Sequence, residues 1–172
     1  MLLCIFLTCL NVMGMYKILL EDSIGYDFTL IAIHGSLEPY FLAYLLNKNL
    51  GLRLSRSRED LIIGNREEEA SYPFFEFNDE HQYVDYYVLS NKTKIEVEAK
   101  AVIGLFESEK TLKTTYFIPE MPQVDYFIKV VEDGNAFAKA KALKILNQIS
   151  HIVTAYEVDV SSLKNKEHLI FE

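Results

Sequence analysis

The chain has 172 residues, of which 50% are hydrophobic and 24% are charged, and its formal net charge at pH 7 is -8. This profile predicts one globular domain with a substantial core, and the scarcity of glycine (7) and proline (4) excludes collagen-like repeats and low-complexity linkers. The acidic balance argues against nucleic acid as a partner, because phosphate binding requires clustered Lys and Arg side chains.

The N-terminal residues differ in character from the rest of the chain. Residues 1–14 form an uncharged apolar run that contains both cysteines, Cys4 and Cys9, and it is shorter than the about 20 apolar residues that span a bilayer. We therefore expect no membrane partner. Because Met15 leads directly into a strand-like segment, we interpret 1–14 as an extension that arises from a start-site artefact, and 15–172 as a single domain. A core without thiols fits a reducing cytoplasm.

The first half of the domain begins with strands and a helix. Residues 16–21 and 28–33 are short apolar runs that are typical of strands. Ser36 is the predicted N-cap of a helix that ends near Asn49, with Gly51 as the left-handed residue that terminates it. Apolar side chains occur on more than one side of this helix, which predicts a buried position or an interface.

The middle of the chain is predicted to consist mainly of short strands. Residues 65–71 read as an exposed loop, and 91–113 as a mobile connection with some strand content. Aromatic residues dominate the predicted hairpin, as expected for a half-buried pleated surface. The predicted strands are residues 52–55, 61–63, 72–77 and 82–89.

The C-terminal half is predicted to contain strand, turn, strand, helix and strand. Residues 114–118 form the first strand, and the prolines at 119 and 122 then impose a turn or a sheet-edge crossing, because they lack amide donors. Residues 124–131 alternate and predict a strand with one apolar face. Asp133 or Asn135 is the expected cap of the second helix, and 151–158 is the closing strand. The stripe on that helix that should face the sheet is Ala138, Ala142, Ile145, Leu146 and Ile149.

The turn carries a recognisable signature. The residues Ile118, Pro119, Glu120, Val124, Asp125 and Tyr126, with three residues between Glu120 and Val124, resemble the signature of the IPExxxVDY family, which is found mainly in Bacteroidota. Residues 28–38 followed by 42–48 resemble that family's other recurrent block. The resemblance extends over about residues 15–158. It implies a family but no activity, because the signature has no assigned catalytic role.

The two carboxylates of the signature, Glu120 and Asp125, have two interpretations. They could act as a general acid and base on either side of a rigid turn. Alternatively, Glu120 binds backbone amides of the double-proline turn while Asp125 faces solvent or a lysine. We favour the second interpretation, because an acid/base pair needs an adjacent cleft that the sequence does not indicate.

His34 lies just before the first helix, where an imidazole could help to hold an anion at the positive end of the helix dipole. Ser36 and Glu38 are close in sequence and complete this candidate polar site with Glu120 and Asp125. The alternative is that His34 stacks on the core or caps a turn. The histidines lack the spacing of metal ligands, so we assign no metal, no cofactor and no catalytic residue.

The element order favours a single α+β domain in which two helices cover one face of a mostly antiparallel sheet. The first functional hypothesis is a non-enzymatic cytoplasmic binding or adaptor module that acts as a homodimer or on a protein partner. The alternative is an enzyme or small-ligand-binding protein with a pocket at His34, Ser36 and Glu38 beside Glu120.

Overall fold

The computed structural model describes residues 28–65, 68–98, 110–134 and 137–171, and the N-terminal extension 1–14 and the expected strand 16–21 lie outside these ranges. The described chain is an α+β fold with a mostly antiparallel sheet, as predicted. Short 3-10 turns at Val160–Ser162 and Lys166–Leu169 follow the last strand. The helices and strands are β1 Phe28–His34, α1 Pro39–Leu50, β2 Ser55–Arg56, β3 Leu61–Asn65, β4 Glu68–Tyr72, β5 Phe74–Asp79, β6 Val84–Ser90, β7 Lys92–Glu98, β8 Lys110–Tyr116, β9 Tyr126–Glu132, α2 Lys139–Leu146 and β10 Thr154–Val158.

Six strands form the main sheet in the order β10-β1-β9-β6-β5-β2, with every neighbouring pair antiparallel. Strand β9 lies near the centre of this sheet, between β1 and β6. Side chains on both of its faces are buried: Ile128 points to one side, and Phe127 and Lys129 to the other. The prediction of a single apolar face for this strand is therefore wrong, because both faces of the sheet are covered.

Helices α1 and α2 pack on the same face of the main sheet, as predicted, over Ile31, Val88 and Ile128. Helix α1 begins at Pro39 and ends at Leu50, and the following Gly51, with a φ of 73°, has the expected left-handed conformation. Ser36 is not its N-cap: that position belongs to Glu38, which has extended backbone and makes no side-chain capping bond. The reason is Pro39, whose ring disfavours helical geometry in the preceding residue.

Helix α2 is shorter than its apolar stripe suggested. Ala142, Leu146 and Ile149 are buried as predicted, whereas Ala138 is exposed and serves as the N-cap. Asp133 does not cap this helix, and Asn135 lies outside the described residues. Glu132 instead supports the approach to α2, because its carboxylate accepts a hydrogen bond from the Phe137 amide at 2.8 Å.

The other face of the main sheet is covered by the hairpins β3–β4 and β7–β8 and by the C-terminal segment 160–171. The prediction of an exposed loop at 65–71 is wrong for the residues that the structure describes, since Glu68–Tyr72 is a strand in which Ala70 and Tyr72 are buried. Three consecutive glutamates conceal this alternation in the sequence. The expected connection 91–113 contains the whole of β7 and the start of β8, and its residues 99–109 lie outside the described part.

Candidate functional site

Asp125 ties the signature to the loop between β1 and α1. Its Oδ2 accepts a hydrogen bond from the backbone amide of Gly35 at 2.9 Å, and its own amide donates to the carbonyl of Ile33 at 3.0 Å. Its Oδ1 lies 2.6 Å from Nζ of Lys92, so the carboxylate faces a lysine, as one of the two interpretations expected. Both oxygens of Asp125 are therefore used in holding parts of the fold together.

Tyr126 binds the same loop one residue further along the signature. Its hydroxyl donates a hydrogen bond to the carbonyl of Leu37, and its side chain is buried. Burial, together with the negative charges of Glu38 and Asp125, raises the pKa of Tyr126 to about 12. The hydroxyl consequently remains a protonated donor at neutral pH.

Glu120 binds a different part of the chain. Its Oε1 accepts hydrogen bonds from the backbone amides of Lys164 and Asn165, each at 2.9 Å, so it binds the C-terminal segment in addition to its own amide in the double-proline turn. Desolvation opposes ionisation, but the hydrogen bonds from its own amide and from Asn165 and Lys164 outweigh this effect, so the pKa of Glu120 is lowered. Glu120 thus anchors the C-terminal segment.

A buried asparagine between β6 and β7, Asn91, organises the signature turn. It is fully buried, and its Nδ2 donates to the carbonyls of Met121 (2.9 Å) and Val124 (3.0 Å) while its Oδ1 accepts from the amide of Ile118 (2.8 Å). The two bonds from Nδ2 supply donors to carbonyls of a turn in which Pro119 and Pro122 have no amide to donate. A single asparagine between two strands carries no local pattern that could have revealed this role.

The candidate polar residues are only partly brought together. His34 lies at the end of β1, where its Nε2 is 3.3 Å from the Tyr156 hydroxyl and the two rings stack at 5.6 Å. Asp125 accepts a hydrogen bond from Gly35, the residue that follows His34. Ser36 and Glu38 are exposed in the same loop. Glu120, in contrast, binds the C-terminal segment. The described hydrogen bonds therefore give His34, Asp125 and Glu120 three separate sets of partners.

Two clefts in the described part of the chain lie away from these residues. One, of about 350 Å³, opens between the end of α1 and the start of α2, with Leu50, Tyr86 and Lys141 among its lining residues. The other, of about 470 Å³, is lined by residues 55–61 with Phe74 and Glu76. Neither cleft contains His34, Glu120 or Asp125.

The outer side of α1 presents an aromatic surface to solvent. Tyr40 and Tyr44 are 69% and 55% exposed, and Val153, in the loop before β10, is 82% exposed. Phe41 connects Tyr44 to His151, since its ring stacks on Tyr44 at 6.2 Å and meets the ring of His151 edge-on at 5.4 Å. We call these five residues the α1 aromatic surface.

No family model, curated protein or solved structure matches this chain. Among the residues that the structure describes, no group of three or more His, Cys, Asp or Glu side chains could hold a metal ion. None of the helices in the described ranges is long and apolar enough to cross a membrane.

Proposed function

We propose that this chain is a non-enzymatic cytoplasmic module that binds a protein through the α1 aromatic surface. The observation that carries the proposal is the exposure of Tyr40 and Tyr44, one turn apart on a helix whose opposite side is in the core. A surface helix normally carries charged residues on its outer side. Helix α2 follows this rule with Lys141 and Lys144, whereas α1 exposes two tyrosines.

The chemistry of this surface suits a protein partner. Tyrosine is enriched at protein interfaces, because its ring supplies contact area while its hydroxyl remains compatible with water. Phe41 extends the surface from Tyr44 to His151 through ring contacts, and the exposed Val153 follows two residues after His151. The cytoplasm as compartment is supported by the position of both cysteines within the first ten residues.

Membership of the IPExxxVDY family is also part of the proposal. It is supported by the contact between the two sequence blocks that carry the resemblance. Asp125 and Tyr126 of the signature bind Gly35 and Leu37 of the other block. A shared structural role would explain why both blocks recur together.

The alternative, an enzyme or small-ligand protein with a pocket at His34, Ser36 and Glu38 beside Glu120, has less support. The carboxylates of Glu120 and Asp125 accept hydrogen bonds from backbone amides of separate segments. General acid/base groups must instead reach one reacting atom together.

In-cell cross-linking followed by mass spectrometry tests the proposal. We expect the tagged wild-type chain to form cross-linked species, with a second copy or another protein, that the double variant Tyr40→Ser/Tyr44→Ser loses. The matched control is Leu112→Ser, which removes a side chain that is 69% exposed on β8. Circular dichroism verifies that each variant is folded. Equal cross-linking by the wild type and the double variant would contradict the proposal, as would a wild type without any cross-linked species.

A further inference from the structure

The outer side of α1 carries three regularly spaced side chains, Tyr40, Tyr44 and Lys48. Residues four apart lie on one ridge of a helix, and each step along this ridge rises about 6 Å. All three side chains are exposed, and Lys48 has no ion-pair partner within the described ranges. The row therefore reads aromatic, aromatic, cationic, with Tyr44 at its midpoint.

We infer, on the basis of the proposed function, that the partner is a second copy of this chain and that the two α1 helices pack antiparallel about a two-fold axis at Tyr44. Tyr40 and Lys48 are equally distant from Tyr44 along the helix. An antiparallel pair centred on Tyr44 therefore places Tyr40 of each copy opposite Lys48 of the other. The row is complementary to itself, which is the requirement for a two-fold interface.

The charges of these groups favour this arrangement. The face of a tyrosine ring carries negative potential and attracts an ammonium group, so two symmetry-related cation–π pairs flank the contact between the Tyr44 rings. A parallel pairing in register would instead bring Lys48 of one copy towards Lys48 of the other. The antiparallel orientation thus pairs each Lys48 with a Tyr40 on either side of the central Tyr44 contact.

The size of the surface predicts a weak dimer. A helix of 12 residues is about 18 Å long. The area that such a helix can bury, even with Phe41, His151 and Val153 beside it, is smaller than the about 800 Å² per partner of a standard stable interface. We therefore expect micromolar affinity and a mass that depends on protein concentration.

Site-directed cross-linking in the full chain tests the orientation, with Cys4 and Cys9 replaced by serine. We expect Tyr44→Cys to link to itself through a short bismaleimide. We expect Tyr40→Cys and Lys48→Cys to link mainly to each other when differently tagged proteins are mixed, and only weakly to themselves. The control, Leu112→Cys, should not link. Self-linking of Tyr40→Cys or Lys48→Cys that equals or exceeds the mixed product would overturn the antiparallel pairing.

Sedimentation velocity of the wild type tests the dimer itself, over about 1 µM to about 1 mM. We expect reversible dimerisation that Lys48→Met weakens by about tenfold, whereas the control Lys144→Met on the outer side of α2 leaves it unchanged. A wild type that is monomeric at all concentrations would overturn the inference. If Tyr40→Ser/Tyr44→Ser nevertheless loses cross-linked proteins in cells, the partner is a different protein and the proposed function stands.

Discussion

Asp125, in the turn before β9, accepts a hydrogen bond from the backbone amide of Gly35, which lies 90 residues earlier in the chain. Gly35 is enclosed on its other side, because a Cβ at this position would lie 2.9 Å from the carbonyl oxygen of His151. The Tyr126 hydroxyl donates a hydrogen bond to the carbonyl of Leu37, two residues after Gly35. The signature thereby fixes the start of α1, and with it the position of the α1 aromatic surface.

The Asp125→Ala variant should be less stable than the wild type by about 1–3 kcal/mol, because the Gly35 amide and the Lys92 ammonium both lose their partner. Urea denaturation measures the free energy of unfolding. The control is Asp133→Ala in an exposed turn, for which we expect a change within about 0.5 kcal/mol. Equal stabilities of the two variants would contradict the role of Asp125 as a connector.

The Asn91→Ala variant should lose more stability, about 3 kcal/mol or more, since three hydrogen bonds between a fully buried side chain and the signature turn are lost at once. Thermal and urea unfolding both report this change. Asn78→Ala is the matched control, because Asn78 makes one exposed hydrogen bond, to Asp85. A loss in Asn91→Ala no greater than in this control would show that the turn is held by other contacts.

The raised pKa of Tyr126 predicts that the folded protein loses stability at alkaline pH. Its folded pKa is raised to about 12, whereas an unfolded tyrosine titrates near pH 10. The contribution of Tyr126 to the free energy of unfolding is therefore complete below about pH 10 and is lost as the pH rises from about 10 through 12. We expect the stability difference between wild type and Tyr126→Phe to shrink over this window in urea unfolding experiments. A difference that stays constant over this window would refute the assignment.

Lys129 is a buried cation on the central strand. Its Nζ donates to the Leu169 carbonyl at 2.7 Å and lies 4.2 Å from the centre of the Phe171 ring, with Phe28 and Tyr87 also facing it. Desolvation lowers the pKa of Lys129, although the charge of Asp85 opposes this. The lysine therefore holds the C-terminal segment against the sheet.

We expect Lys129→Ala to lose about 2–5 kcal/mol, as for other core truncations, and Lys129→Met to remain closer to the wild type because it refills the space without a buried charge. Hydrogen exchange in residues 160–171 should accelerate in both variants, since Leu169 loses its donor. The control Lys94→Met, on the exposed side of β7, should alter neither quantity. Unchanged exchange in Lys129→Met would show that other contacts, such as those of Glu120 with Lys164 and Asn165, retain the segment without the lysine.

The sequence predicted those features that depend on neighbouring residues. Gly51 marked the end of α1, Pro119 and Pro122 marked the turn, and the aromatic run marked the β5–β6 hairpin. The prediction from sequence was wrong for the start of α1, because Pro39 makes Glu38 the N-cap although Ser36 is the better capping residue. It also failed at β4, where glutamates hid a strand whose Ala70 is buried.

By itself, then, the sequence determined the fold class, most of the elements and the rigid turn at 118–126, because backbone propensity and hydrophobic period act over a few residues. The tertiary structure alone decided which groups the signature binds. Asp125 meets Gly35, Glu120 meets Asn165, and Asn91 fills the turn across separations of tens of residues. No local pattern encodes such contacts, because they depend on how the strands are ordered in the sheet.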